Sequence, residues 1–201
     1  MRTIVYMLFL IITMGSFVSY AAEVGQSAPA FSVKDIAGHT QSLAKYKGKI
    51  VVLEWNNPGC PFVKKHYGSG NMQALQQYAK SKGVVWLTIN SGAPGKQGYM
   101  DAVSAKDKIA EVGGHEAAYI LDPEGTLGQL YGAKTTPHMF VIDKQGNLAY
   151  VGAIDDAPTP DPADTKTAHN YVKAAIDALK AGKPVAVAQT KSYGCSVKYK
   201  D

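Results

Sequence analysis

Apolar residues along the chain fall into two patterns: short dense blocks rich in β-branched residues, and longer stretches in which they recur every three or four positions. Ile50-Val51-Val52-Leu53-Glu54-Trp55 is the densest block, bounded by Gly48 and by Asn56-Asn57-Pro58-Gly59, the pattern of a central strand buried on both faces. Val84 to Ile89 is a second such strand and Ala118 to Leu121 a shorter one. His138 to Ile142 and Leu148 to Ala153 are two more, joined by Asp143-Lys144-Gln145-Gly146-Asn147, which has hairpin-turn composition. Phe31 to Ile36, Gly38 and Gln41 to Leu43 predict a short hairpin before them. The periodic stretches predict helices. One begins near Pro61, since proline is tolerated at the first helical position, and Met72, Leu75, Tyr78 and Ala79 keep its spacing up to Gly83. Gly68-Ser69-Gly70 should kink or split it. Others are expected from about Tyr99 to Val112, from Thr126 to Tyr131, and from Asn170 to Lys180, where Val172, Ala175, Ile176 and Leu179 share a face and Gly182 marks the end. Ser91 to Gly98 reads as a glycine- and proline-bearing loop and Asp155 to Asp164 as an exposed one, and the tail beyond Gly182 has no clear period.

Strands alternating with helices, closed by a hairpin and a last helix, predict an α/β fold: a central mixed sheet with helices on both faces. In such folds ligands and catalytic groups sit at the carboxyl ends of the parallel strands. Cys60 lies just past the end of the Ile50 strand. With 201 residues, of which 46% are hydrophobic and 18% charged, the chain can bury a sizeable core, which excludes disorder as its main state. The formal charge is +5, but basic residues are scattered in runs no longer than two, so nucleic-acid binding has little support. Arg2 is the only arginine, so beyond it no site can use a guanidinium fork.

Residues 1–21 read as a secretory signal: Arg2, an apolar run from Ile4 to Val18, then Ser19-Tyr20-Ala21 with small residues at the cleavage-relevant positions. The run is shorter than the ~20 residues of a membrane span. Cleavage after Ala21 would release residues 22–201 into a bacterial periplasm or the exterior. We divide that remainder into a domain over 22–186 and a tail over 187–201.

Cys60 and Cys195 are the only cysteines. In an oxidising compartment they are either a permanent staple between an early loop and the tail or a redox pair. A cysteine at the last loop position before a helix faces unpaired amides and the positive end of the helix dipole, both of which favour thiolate. The bland alternative is a small apolar cap; the flanking Pro58-Gly59 and Pro61, and the strand-end position, favour the reactive reading. Glu54 interrupts an apolar strand. It is either a buried acid with a raised pKa that moves protons to or from the sulfur, or a strand-end residue reaching solvent or a lysine. Cys60, His66 and His138 could offer one soft sulfur and two imidazoles to copper, but His66 is expected as a surface or supporting residue and His138 along a strand, so no metal and no cofactor is expected. His39, His115 and His169 are expected to face solvent.

The run Trp55-Asn56-Asn57-Pro58-Gly59-Cys60-Pro61-Phe62 after a buried strand, with Thr136-Pro137 before an antiparallel hairpin, resembles the thioredoxin-like superfamily. Ala28-Pro29-Ala30-Phe31, Leu43, Tyr46, Gly48-Lys49 and the extra helix before Tyr119-Ile120-Leu121-Asp122 resemble the peroxiredoxin-like (AhpC/TSA, redoxin) and TlpA/ResA-like families, and Gly194-Cys195 resembles a C-terminal feature of secreted peroxiredoxin-like proteins. The resemblance implies a thioredoxin-like fold with an N-terminal hairpin and a peroxiredoxin-type helix insertion. It implies Cys60 as nucleophile and Thr136-Pro137 as a cis-proline turn with a backbone edge for substrate. It also places Glu54 where thioredoxins keep a buried acid. Val63 stands where the second cysteine of a Cys-x-x-Cys pair would be, which leaves Cys195 to resolve the oxidised nucleophile. Two departures bear on substrate: Asn57 occupies the peroxiredoxin hydroxyl position, and no arginine remains once the signal is removed.

The expected function is a thiol-dependent oxidoreductase, antioxidant in the peroxiredoxin-like case. The Cys60 thiolate would attack a hydroperoxide or a protein disulfide, Cys195 would resolve the product, and an external thioredoxin-like thiol donor would close the cycle. The alternative is thiol–disulfide exchange without efficient peroxidase activity. A third class is a static disulfide in a structural or partner-binding protein. Oligomeric state, and whether Cys195 acts within its own chain or on a neighbour, are open at the level of sequence.

Overall fold

The computed structural model describes residues 22–201; the expected signal at residues 1–21 lies outside the described residues. Strands are β1 (Ser32–Lys34), β2 (Thr40–Ser42), β3 (Val51–Trp55), β4 (Val85–Asn90), β5 (Ala118–Leu121), β6 (Thr135–Thr136), β7 (His138–Ile142), β8 (Leu148–Gly152) and β9 (Cys195–Ser196). Helices are α1 (Pro61–Gly68), α2 (Asn71–Ser81), α3 (Ala102–Val112), α4 (Thr126–Tyr131) and α5 (Tyr171–Lys180).

The central sheet has the order β5-β4-β3-β7-β8. β3 is parallel to β4 and antiparallel to β7, with Trp55 opposite both Ile89 and His138. Because side chains alternate across a strand, β3 sends Val51, Leu53 and Trp55 into one core with Phe31, Tyr131 and Phe140, and Val52 into another with Met72, Leu75, Val172 and Ile176. Residues that are apolar on both faces thus become the buried strand that the sequence predicts. The observed α/β architecture is the expected mixed sheet flanked by helices, with the N-terminal hairpin (β1–β2) and a helix (α3) inserted before β5.

The glycine triplet splits the long helix as expected: α1 ends at Gly68 and α2 starts after Gly70, which takes φ +76° at the break. Three readings need correction. The inserted helix starts at Ala102 rather than Tyr99, because Asp101 and Ser104 form a reciprocal cap. Asp155 is buried rather than exposed, held by the Tyr193 hydroxyl and the Ala157 amide. The tail, patternless in sequence, contains a paired strand: β9 lies antiparallel to β6.

Candidate active site

The strand that buries Trp55 ends at the loop that carries Cys60. Cys60 is the N-cap of α1, with extended backbone (φ −78°, ψ 127°) and proline at the next position, so its sulfur sits at the positive end of the helix. Asn57 builds this loop: its Oδ1 accepts from the Gly59 amide at 2.8 Å and its Nδ2 donates to the Gln97 carbonyl at 3.2 Å. The Thr136–Pro137 peptide is cis. The Thr136 carbonyl oxygen is 3.0 Å from Cys60 Sγ and accepts from it when the sulfur is protonated.

The tail also meets the sulfur. Cys195 lies opposite Thr136 in the β6–β9 pair, and its backbone amide donates to Cys60 Sγ at 3.4 Å. Both cysteines are free thiols, Cys60 with no exposed surface and Cys195 half-buried. Burial works against a Cys60 thiolate, but hydrogen bonding from the Cys195 thiol and from the Val63 and Cys195 amides outweighs it and holds the thiol below its ordinary value. Burial, with the Cys60 contact second to it, pushes Cys195 up to about 11. The arrangement therefore favours one negative charge, on Cys60, with Cys195 as the proton-bearing partner.

Glu54 is fully buried and reaches neither solvent nor a lysine. Asn56 Nδ2 donates to its Oε1 at 2.9 Å, Trp86 Nε1 and the Thr88 hydroxyl donate to Oε2 at 2.9 and 3.2 Å, and the Tyr67 hydroxyl donates at 3.0 and 3.2 Å to the two oxygens. Burial raises its pKa even against these donors. A cleft of about 420 Å³ opens beside this cluster between α1 and α3, lined by Asn56, Pro58, Val63, Tyr67, Glu116 and Tyr119 among others. Glu116 lines it, with its Oε2 buried and without a hydrogen-bond partner among the described residues, and burial with the nearby Glu54 charge pushes its pKa up to about 7. Sequence reading missed Glu116, which no local pattern marks.

His66 is not at the surface. It is fully buried on α1, with Nε2 3.0 Å from the Tyr193 hydroxyl and Nδ1 accepting from Asn71 Nδ2 at 2.9 Å, so that Nε2 carries the proton. The Tyr193 hydroxyl donates onward to Asp155. His138 accepts the Lys134 amide on Nδ1 at 3.2 Å. Cys60, His66 and His138 form no metal-ligand cluster among the described residues. His39, His115 and His169 are exposed, as expected.

Comparison with known proteins places these features in a family. Residues 24–151 match the AhpC/TSA family. The chain is 28% identical over 131 residues to a protein named thiol-disulfide oxidoreductase ResA from Geobacillus kaustophilus (strain HTA426), covering 65% of this chain and 70% of that one. Among solved structures, an uncharacterized conserved protein from Geobacillus kaustophilus superposes with TM-score 0.77 at 27% identity, covering 89% of this chain and 93% of the other. A hypothetical protein from Sinorhizobium meliloti 1021 superposes with TM-score 0.75 at 24% identity, over 90% and 97%.

Proposed function

The chain belongs to the AhpC/TSA family, and on that premise we propose that it is a thiol oxidoreductase in which Cys60 is the nucleophile and Cys195 the resolving residue. The observation that carries this reading is the meeting of Cys195 with Cys60 Sγ, 3.4 Å from amide to sulfur, at the amino end of α1. The Cys60 thiolate opens the O–O bond of a hydroperoxide or the S–S bond of a disulfide. Cys195 then attacks the oxidised Cys60 sulfur, and the resulting disulfide is reduced by an external thiol donor such as a thioredoxin-like protein. Pro58 and Pro61 shape the loop, and Thr136-Pro137 supplies the backbone edge beside the sulfur. Glu54, raised in pKa and linked through Asn56 and Tyr67 to the cleft, holds or releases a proton as the thiols change charge.

Disulfide exchange is favoured over fast peroxide reduction by the state of Asn57. Both ends of its side chain are bound within the loop and to Gln97, so the position that carries a hydroxyl in peroxiredoxins serves the loop rather than a peroxide. No arginine follows Arg2 to polarise one either. The ResA-named relative supports the same choice. We further propose export to the periplasm with cleavage after Ala21, and a redoxin domain over 22–186 with a tail over 187–201; among the described residues no helix is long and apolar enough to cross a membrane.

Stopped-flow reaction of the reduced protein with hydrogen peroxide and, separately, with a small disulfide tests the reading. Oxidation of both thiols by the disulfide at a rate well above peroxide supports exchange; rapid oxidation by stoichiometric peroxide supports a peroxidase. Inertness to both overturns the assignment.

A further inference from the structure

The Cys60 sulfur is approached both by the β6 edge and by the chain's own C-terminal segment. Among the described residues β6 pairs only with β9, in a two-stranded sheet of their own, and the Val197 amide donates to the Lys134 carbonyl at 3.1 Å to extend the ladder. Without β9, β6 would present a bare edge, and such an edge accepts an extended chain from any source. Whatever residue lies opposite Thr136 comes to the nucleophile, because the Thr136 carbonyl is 3.0 Å from Cys60 Sγ. In this protein that residue is Cys195.

The seat is built for this segment. Gly194 takes φ +127°, and a Cβ there would stand 2.1 Å from the Thr136 carbonyl oxygen, so the close approach requires glycine. Aromatic anchors hold both sides. Tyr193 packs on Phe62, with ring centroids 5.7 Å apart, and binds Asp155 and His66 through its hydroxyl. Tyr199 donates to the Ala133 carbonyl at 2.8 Å and lies so close to Gly128 that a Cβ there would meet its hydroxyl oxygen at 2.4 Å. With the segment docked, Cys60 has 0% exposure.

Resting on the assignment of Cys60 as nucleophile, we propose that the segment from Tyr193 to Tyr199 is a tethered occupant of the substrate edge that restricts Cys60 to low-molecular-mass oxidants and excludes disulfide-bonded polypeptides. A small oxidant needs only a local parting at Gly194 and Cys195. An extended polypeptide must displace β9 together with its aromatic anchors. With a small disulfide RSSR, the Cys60 thiolate forms one S–S bond and expels RS⁻. Cys195 then displaces the second RS⁻, and the proton released from Cys195 goes to a departing thiolate. With a hydroperoxide ROOH, the thiolate takes the terminal OH, RO⁻ leaves and is protonated, and Cys195 expels water from the sulfenic acid. Either route passes two electrons to the oxidant and closes the Cys60–Cys195 bond.

The test measures initial loss of the Cys60 thiol in the full chain with hydrogen peroxide, with oxidised glutathione, and with an unfolded polypeptide carrying one disulfide. The wild type should react with the polypeptide at least roughly tenfold more slowly than with glutathione disulfide. Gly194→Ala, which introduces left-handed strain and a clash, should raise the ratio of the polypeptide rate to the glutathione-disulfide rate by roughly tenfold, since loss of the Cys195 donors alters Cys60 reactivity toward every oxidant alike. Tyr199→Phe, which loses a single hydrogen bond, should give a smaller rise in the same direction. Equal rates for polypeptide and small disulfide in the wild type, or an unchanged ratio in both variants, would overturn the proposal. If Cys60 reacts with no oxidant, the functional assignment fails, and amide exchange then decides the occupancy. A Val197 amide protected in the wild type and unprotected in Gly194→Ala upholds it; an unprotected wild-type amide refutes it.

Discussion

The backbone amide of Cys195 donates to the sulfur of Cys60 across 135 positions of chain, at 3.4 Å. This contact is one of several that make the pair asymmetric in charge. Cys60 gains donors that favour its thiolate, while Cys195, facing that charge, keeps its proton. On the proposed mechanism, the nucleophile and its resolver are thus distinguished before any oxidant arrives.

Cys60→Ser should abolish oxidant consumption, while Cys195→Ser should allow one event and then stall as a sulfenic acid or mixed disulfide on Cys60. Active-thiol titration after a single addition of oxidant checks both. Removal of the Cys195 thiol donor should also raise the Cys60 pKa, read from the pH dependence of alkylation.

Glu54 and Glu116 have raised folded pKa values, so folding favours their protonated forms. The stability they contribute is highest at low pH and declines as pH rises through the folded values, about 7 for Glu116. Glu116→Gln should therefore stabilise the protein at pH 8, by about 2–3 kcal/mol, and leave it nearly unchanged at pH 4. Urea unfolding at the two pH values measures this. Equal effects at both would assign the gain to packing rather than to charge.

Histidine burial has the opposite slope. Burial, with Lys65 nearby, lowers His66 to about 3, and burial, with Lys134 nearby, lowers His138 to about 4. The unfolded chain binds more protons between these values and 6.5, so stability should fall as pH drops through that window. Chemical denaturation of His66→Gln from pH 7 to 4 should show a flatter decline than the wild type.

Much of this organisation is legible in the sequence. The two-face burial of Val51 to Trp55, the helix start at Pro61 and its break at Gly68-Ser69-Gly70 follow from local pattern, and they alone put Cys60 at a helix amino terminus. The β9 pairing is not legible, because a two-residue strand carries no period. Nor is the burial of Asp155 or His66, whose shared partner Tyr193 lies 38 positions from the one and 127 from the other. The donors around Glu54 come from α1, α2, β4 and the loop after β3, a convergence only the tertiary fold supplies.

Tyr193→Phe tests the tail anchor directly. It removes the hydroxyl that donates to buried Asp155 and contacts His66, and should destabilise the protein by about 1–3 kcal/mol. It should also slow the resolving step more than the first thiol loss, as separated by rapid-quench alkylation.

Intact mass and peptide mapping of the reduced protein, quenched at intervals after one equivalent of a small disulfide, test the central claim most directly. The account predicts a transient adduct on Cys60, which then releases the second thiol to leave a mass two hydrogens below the reduced protein and a peptide joining Cys60 to Cys195. An adduct that forms first on Cys195, or a Cys60 adduct that persists with Cys195 still reduced, would contradict it.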